Sequence, residues 1–127
     1  MLVPAALGHV IDAKVAGGVK AKYVVEAANG PCTLEGADAL DARGIVCLPD
    51  IWANAGGVTV SYFEWVQNLQ QHRWTESKVN EELERHMVAA HTELRAMMSR
   101  LKSSMRTAAF ALAVERVKAA TDLRGLG

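Results

Sequence analysis

The sequence predicts an α/β fold in which a parallel sheet of two or three strands is followed by long α-helices. Two observations support this prediction. Short runs of β-branched residues between turn residues occur in the first half of the chain. In the second half, apolar residues recur every three or four positions, which is the period of a helix. Because residues 1–71 also hold all three prolines, both cysteines and most of the glycines, we separate an α/β segment, 1–71, from a helical segment, 72–127.

Two strands are predicted, over residues 23–27 and 45–48. Both are short apolar runs between turn residues, the first followed by Asn-Gly-Pro at 29–31 and the second by Pro-Asp at 49–50. Such runs are typical of buried parallel strands. Residues 2–3 resemble the end of a third strand. That strand would start before the first residue, so we expect the chain to begin inside an element.

Three helices are predicted between and after these strands. Residues 5–16 carry an apolar stripe and stop at a glycine pair. Residues 33–43 begin at Thr33, a good N-cap, and stop at Gly44. A third helix runs from about residue 55 to about 71. This alternation predicts a βαβαβ unit with right-handed crossovers. The stripe of the first helix consists of Leu7, Val10, Ile11 and Val15.

The helical segment is predicted to contain a long helix over residues 76–102, with Thr75 as its N-cap, and a second helix over residues 106–120. The apolar stripe of the long helix comprises Val79, Leu83, Met87, Ala90, Leu94, Met97, Leu101 and Met105. Such a stripe must be buried against something, so we expect oligomerisation or domain exchange through this helix. Replacing Leu94 and Leu101 by lysine should then shift the assembly toward monomer or unfold it.

Composition argues against several classes of protein. The 127 residues include 14 basic and 14 acidic ones, and half of all residues are hydrophobic. A zero net charge argues against a nucleic-acid binder, and the hydrophobic content argues against disorder. No apolar run is long enough to cross a membrane, and no signal peptide is evident. Two cysteines suit a reducing compartment, so we expect a cytoplasmic protein with Cys32 partly exposed, Cys47 buried and neither thiol reactive.

The histidines do not predict a metal site. His86 and His91 are five positions apart and therefore lie on different faces of the long helix. No acidic or cysteine ligand has a matching spacing, so we interpret both, with His72, as solvated helix surface. His9 lies near the apolar stripe of the first predicted helix and is expected to be partly buried.

An asparagine follows each predicted strand. Asn29 comes after the first strand, and Asn54 comes after the second, just before the glycine pair at 56–57. The carboxyl ends of neighbouring parallel strands share one edge of a sheet, where open α/β sheets bind ligands. Ser61 falls on nearly the same helix face as Asn54. The pattern is equally compatible with a capped helix packed closely on the sheet, and on spacing alone both interpretations stay open.

Three segments in this order closely resemble glutamate dehydrogenase. They are LVPAAL at residues 2–7, AKYVVEAANGP at residues 21–31, and PDI at residues 49–51 with NAGGVTVSYFEW at residues 54–65. They resemble the C-terminal part of its Rossmann-like nucleotide-binding domain. The likeness is looser over residues 71–127, where the family has closing helices. The resemblance implies half of a Rossmann-like NAD(P)-binding domain over residues 1–71, with a helical extension packing on it.

The resemblance also implies roles for individual residues. Four residues match positions around the nicotinamide end of NAD or NADP: Ala5, Ala6, Asn29 and Asn54. Asn29 matches a residue at the riboside, and Asn54 a residue near the nicotinamide and the substrate. Val58 and Ser61 match the wall that receives the amino-acid side chain. A hydroxyl at Ser61 suits a side-chain carboxylate, which favours L-glutamate over leucine.

The catalytic groups of the family lie outside the matched part. Its Gly-rich phosphate loop, its substrate-binding lysines and its catalytic Lys and Asp all precede that part, and these 127 residues contain no G-x-G-x-x-G. We therefore assign no catalytic residue and no metal. The complete enzyme would oxidise L-glutamate to 2-oxoglutarate and ammonia with NAD or NADP, between which the sequence does not choose. The chain by itself is expected to be an inactive fragment.

Two other functions stay open at this point. An incomplete sheet has an open edge and leaves apolar helix faces uncovered, as in a non-catalytic interaction module that self-associates or pairs with a missing N-terminal half. A stand-alone nucleotide-binding half-domain is the other alternative, although the chain holds no phosphate cradle.

Overall fold

The computed structural model describes residues 1–125. These residues form two parallel strands and six helices, in the order α1 (Ala13–Gly18), β1 (Tyr23–Val25), α2 (Leu34–Ala42), β2 (Val46–Leu48), α3 (Asp50–Ala53), α4 (Ala55–Gln70), α5 (Glu76–Leu101) and α6 (Met105–Leu123). The predicted α/β fold with a parallel sheet and long helices is confirmed. Within the described residues, no helix combines the length and the apolar character needed to cross a membrane.

The sheet consists of β1 and β2, with Val24 opposite Cys47. Leu2 forms one parallel bridge to Val24. Its N–H donates to the Tyr23 carbonyl at 2.9 Å, and its carbonyl accepts from the Val25 N–H at 2.9 Å. The main-chain groups of successive residues in a strand point alternately to its two sides. Leu2 pairs with one side of β1 and β2 pairs with the other, so Leu2 lies on the edge of β1 away from β2. The third strand is therefore reduced to a single bridge, and the other two are shorter than predicted.

Helices α1 and α2 pack on each other and, with the sheet, enclose the first core. Helix α2 begins as predicted, with the Thr33 hydroxyl accepting from the Gly36 N–H at 3.1 Å. It ends before Gly44, whose φ of 68° lies in the left-handed region that glycine adopts without strain. Leu40 and Val24 are fully buried at the centre of this core. Burial of a leucine of this kind stabilises the fold by about 1.5–3 kcal/mol.

The predicted helix over residues 5–16 is wrong. The helix is α1, which starts at Ala13, and the residues before it are not helical. They follow the chain after β1 and include a turn at residues 8–9, where His9 has a φ of 56°. Ile11 bridges Cys32, with the Ile11 N–H donating to the Pro31 carbonyl at 2.9 Å and its carbonyl accepting from the Thr33 N–H at 3.0 Å. Of the predicted apolar stripe, Ile11 alone is buried. Main-chain hydrogen bonds to a neighbouring segment have outweighed a weak helical period.

The two long helices of the second half are confirmed. Thr75 caps α5 as predicted, with its hydroxyl accepting from the Lys78 N–H at 3.3 Å. Leu94 and Met97 of α5 are buried against Ala108 and Ala109 of α6, and these four residues form a second core. The middle of the α5 stripe is therefore covered within the chain, by α6.

Helix α3 is a feature that the sequence analysis did not predict. It has four residues and follows Pro49, the residue at its N-cap. A single turn is too short for an apolar period to be visible in the sequence. It carries the chain from the end of β2 to the start of α4, so that Asn54 lies at the junction of the two helices.

Candidate functional site

The two asparagines that follow the strands meet at the carboxyl edge of the sheet. The Asn54 side-chain amide donates to the Asn29 side-chain carbonyl at 2.8 Å. We call the loops that carry them, residues 26–33 and 49–54, the rim. The expectation that both asparagines lie at one edge of the sheet is confirmed, because parallel pairing of β1 and β2 ends both strands at the same side. That this edge binds a ligand stays a prediction.

The segment that contains Ala5 and Ala6 runs along the rim. Before it, the Pro4 carbonyl accepts from the main-chain N–H groups of both residues 27 and 28, at 3.0 and 2.8 Å. After it, the His9 N–H donates to the Gly30 carbonyl at 2.7 Å. Ala5 and Ala6 are exposed and tied on both sides to the loop of Asn29. Their small side chains leave this part of the rim accessible.

Val58 and Ser61 lie in the first two turns of α4, which begins directly after Asn54. Both side chains are exposed, Val58 with 70% of its surface accessible. The Ser61 hydroxyl donates to the Gly57 carbonyl one turn earlier, at 3.2 Å. In this position its oxygen still has lone pairs with which to accept a hydrogen bond.

An ionic group that was not predicted from the sequence lies directly behind the rim. Glu26 follows β1 and is completely buried, and Arg106 in the first turn of α6 forms an ion pair with it. Asp50, at the start of α3, lies 3.7 Å from the same guanidinium. We call these three residues the triad. Arg106 is 80 positions from Glu26, so no local sequence pattern indicates the contact.

The triad is also bonded to the rim main chain. The second oxygen of Glu26 accepts from the Asp50 N–H at 2.9 Å. The Asp50 carboxylate accepts from the Gly30 N–H at 2.7 Å through one oxygen and from the Ile51 N–H at 2.8 Å through the other. Burial opposes the charge of Arg106, but the hydrogen bond and charge of Glu26, with the charge of Asp50, raise its pKa above the ordinary value. The Arg106 guanidinium is therefore positively charged at neutral pH.

Comparison with known proteins identifies the family of the chain. The family model for glutamate/leucine/phenylalanine/valine dehydrogenases matches residues 1–125. The chain belongs to this dehydrogenase family.

Individual relatives agree with the family assignment. The chain is similar to the glutamate dehydrogenase of Thermotoga maritima, with 51% identity over 99% of this chain and 30% of the relative. It is similar in structure to the glutamate dehydrogenase of Peptoniphilus asaccharolyticus, with 44% identity, a TM-score of 0.90, and coverage of 98% of this chain and 32% of that chain. It also resembles the hetero-hexameric, leucine-bound glutamate dehydrogenase of Thermus thermophilus, with 35% identity and a TM-score of 0.95 over 99% of this chain and 30% of that chain. The chain thus spans about a third of the length of these relatives.

Two histidines of this dehydrogenase-family chain contact aromatic side chains, and one of them is less solvated than predicted. His91 is half-buried and stacks on Trp52, with ring centroids 5.1 Å apart. His86 is exposed as expected, but its ring edge contacts Phe63 at a centroid distance of 5.5 Å. His9, in contrast, is exposed rather than partly buried. Within residues 1–125, no group of three or more potential ligands is arranged to hold a metal ion.

The burial of the cysteines also differs from expectation. Cys32 is buried rather than partly exposed, because the segment around Ile11 covers it, and Cys47 is half-buried. Burial raises the pKa of Cys32 to about 12, with a further contribution from the neighbouring Glu26. Burial raises the pKa of Cys47 to about 11, aided by Asp41. Both groups are neutral thiols at physiological pH, which agrees with the expectation that they are unreactive.

These values lead to a testable prediction about the thiols. The pKa of Cys47 rises by about two units, so its thiolate fraction at pH 8 falls about 100-fold, and that of Cys32 falls further. We therefore expect iodoacetamide to modify the native chain at least about 100-fold more slowly than the urea-unfolded chain at the same pH. Mass spectrometry of timed samples measures both rates. Equal rates in the two states would contradict the assigned environment.

Proposed function

We propose that the chain is the C-terminal part of the nucleotide-binding region of a glutamate dehydrogenase, and that the rim receives the nicotinamide end of NAD or NADP. The observation that carries the proposal is the 2.8 Å hydrogen bond between Asn54 and Asn29, formed beside the exposed residues Ala5 and Ala6. It supports a ligand edge because it joins polar side chains from two loops at the end of a parallel sheet.

The rim residues fit a nicotinamide riboside. The Asn54 side-chain amide donates to the Asn29 side-chain carbonyl and, at 3.5 Å, to the Ala28 main-chain carbonyl. The side-chain carbonyl of Asn54 and the side-chain amide of Asn29 are therefore the groups that we propose for a ligand. A carboxamide and ribose hydroxyls have the donors and acceptors to pair with them. When bound, the cofactor supplies the hydride acceptor, whereas the chain binds and orients it. We assign no catalytic residue to this chain.

We propose L-glutamate and 2-oxoglutarate as the substrate pair of the complete enzyme. Val58 and Ser61 would form part of the pocket for the amino-acid side chain, since both are exposed at the start of α4 beside the rim. The Ser61 hydroxyl is able to donate to a side-chain carboxylate on exchanging its bond to the Gly57 carbonyl. An aliphatic substrate offers no such partner.

We propose different roles for the two segments of the chain. Residues 1–71 supply the rim, and residues 72–127 form the helical extension that packs on it. The chain spans about a third of its relatives' length and contains no Gly-rich phosphate loop. We therefore propose that it is inactive alone and requires a homo-oligomer or an N-terminal half. The two free cysteines support the further proposal that it works in the cytoplasm.

A second candidate, a self-associating interaction module, is favoured by one specific observation. Helix α4 exposes an apolar stripe beyond the rim, formed by Tyr62, Trp65 and Leu69, each with more than half of its surface accessible. Helix α6 exposes a similar stripe, formed by Phe110, Val114 and Val117. Contiguous apolar faces of this kind mark association surfaces. A concentration-independent monomer mass in light scattering would count against the module.

Binding of the cofactor by the chain is the direct test of the proposal. We expect titration of ¹⁵N-labelled chain with NAD⁺ or NADP⁺ to shift the amide signals of Asn29 and Asn54 in a saturable manner. Asn54→Ala should weaken this binding about tenfold, as expected for one or two lost hydrogen bonds. Asn68→Ala, at an exposed position near the other end of α4, is the matched control and should leave the affinity unchanged.

The outcomes separate the proposed functions. Shifts confined to the rim favour the cofactor site. An absence of any shift up to millimolar cofactor would remove cofactor binding by this chain and leave the interaction module. We also expect no NADH or NADPH absorbance at 340 nm when the chain is mixed with L-glutamate and cofactor. Turnover in that assay would contradict the proposal that the chain is inactive alone.

A further inference from the structure

Three charged side chains from distant parts of the chain meet behind the rim. Glu26 lies at the end of β1, Asp50 at the start of α3, and Arg106 in the first turn of α6. The guanidinium contacts both carboxylates, binding Glu26 in an ion pair and lying 3.7 Å from Asp50. The side chains of Arg106 and Asp50 are each only 19% accessible, so bulk water screens this contact weakly. The arrangement brings two carboxylates together on a single cation.

Every oxygen of the two carboxylates has a partner, and most of these partners are rim main-chain groups. The Glu26 oxygens accept from Arg106 and from the Asp50 N–H. The Asp50 oxygens accept from the N–H groups of Gly30 and Ile51. Each loop of the rim is thus bonded to an acid that belongs to the other loop. Asn29 precedes Gly30, so the Gly30 bond determines where Asn29 is held.

We propose that Arg106 is a positioning residue for the rim, which holds Asn29 and Asn54 at hydrogen-bonding distance by neutralising Glu26 and Asp50; the inference rests on the cofactor site proposed above. Arg106 does not touch the ligand. Its effect passes through Asp50, whose carboxylate remains beside a buried second acid only while the guanidinium lies between them. The helical extension is in this way coupled to cofactor affinity.

Loss of the guanidinium should act on the rim in a defined order. Without Arg106, the fully buried Glu26 carboxylate and the Asp50 carboxylate repel each other. Asp50 is the partly accessible partner, so it turns toward water and releases the Gly30 N–H. The loop of Asn29 then moves independently of Asn54, and the hydrogen bond between the asparagines is lost.

The test compares Arg106→Met and Arg106→Lys with the unaltered chain, using hydrogen exchange and side-chain amide NMR signals. In Arg106→Met we expect the Gly30 N–H to exchange at least about tenfold faster, and the Asn54 amide signal to move toward that of a solvated amide. Arg106→Lys keeps the charge and should restore part of both effects. In Glu26→Gln/Arg106→Met the repulsion is absent, so Gly30 should regain protection.

Two controls separate positioning from a general loss of stability. Leu94→Ala destabilises the second core without touching the triad, and Arg116→Met removes an exposed arginine from the same helix. Both should leave the Gly30 exchange rate and the Asn54 amide signal as in the unaltered chain. If Leu94→Ala changes them as much as Arg106→Met does, or if Arg106→Met changes neither, the positioning role is overturned.

Titration of the same samples with NAD⁺ links the inference to function. We expect Arg106→Met to weaken binding at least about tenfold, with no effect of Arg116→Met. If the unaltered chain binds no cofactor, the proposed function fails for this chain, whereas the Gly30 and Asn54 signals still decide the positioning role. If binding is present but unaffected in Arg106→Met, the positioning inference fails and the cofactor site stands.

Discussion

Arg106→Met is expected to lower the free energy of unfolding by about 3–5 kcal/mol, because it leaves the fully buried Glu26 carboxylate without its cation. Removal of one partner of a buried ion pair destabilises the fold by more than the intact pair stabilises it, because the remaining charge stays buried without a partner. Methionine is shorter than arginine but keeps an unbranched apolar stem, so the change removes the charged guanidinium and retains most of the packing of the stem. Urea denaturation followed by circular dichroism measures the loss.

The double variant Glu26→Gln/Arg106→Met is the decisive comparison for this prediction. It removes both charges and leaves a neutral side chain that still accepts from the Asp50 N–H, so most of the lost stability should return. Arg116→Met, which breaks an exposed pair with Glu93, should cost between 0 and about 1 kcal/mol. A double variant as unstable as Arg106→Met alone would show that the buried charge is not the cause.

Gly36→Ala is expected to destabilise the chain by about 2–3 kcal/mol, although alanine is the better helix former. A Cβ at this position of α2 would lie 2.1 Å from the Ile11 carbonyl oxygen and 2.9 Å from its carbon. Both are main-chain atoms, held by the hydrogen bond from the Thr33 N–H to the Ile11 carbonyl. Overpacking of this kind usually costs about 1–3 kcal/mol or more, which exceeds the gain of about 0.5–1 kcal/mol from helix propensity.

Gly17→Ala supplies the matched control for this substitution. Gly17 lies in α1, and a Cβ there would have no atom within 4 Å, so the variant should be neutral or stabilised by up to about 1 kcal/mol. Thermal unfolding of both variants compares them directly. Equal stability of Gly36→Ala and the unaltered chain would mean that the segment before α1 does not pack on α2 as described. Since that segment carries Ala5 and Ala6, Gly36→Ala should also weaken NAD⁺ binding.

Signals within a few residues of each other were sufficient for much of the fold. Thr33 and Thr75 were predicted as N-caps, and both accept the expected main-chain hydrogen bond. The two strands were recognised because short β-branched runs between breakers have few other conformations. The asparagines could be placed at one edge because parallel strands end on the same side. Their roles toward a cofactor, and those of Val58 and Ser61, stay predictions.

The predictions that were wrong concern residues whose main-chain hydrogen bonds or burial depend on segments far away in the sequence. Residues 5–12 have apolar spacing that suits a helix, but the main chain of Ile11 bonds to Pro31 and Thr33 instead. Cys32 was expected to be partly exposed because a turn precedes it, and that same pairing buries it. The stripe of α5 was expected to lack a partner within the chain, yet α6 covers Leu94. Self-association through the rest of this helix stays a prediction.

By itself, the sequence determined the order and type of nearly all elements, the family resemblance, and the edge of the sheet at which polar side chains gather. Tertiary structure decided the conformation of the segment around Ile11, the burial of Cys32, and the meeting of Glu26 with Arg106. The reason is that caps, breakers and apolar periods act over a few neighbouring residues. A buried charge acquires its partner only when the chain has folded, and here that partner lies 80 positions away.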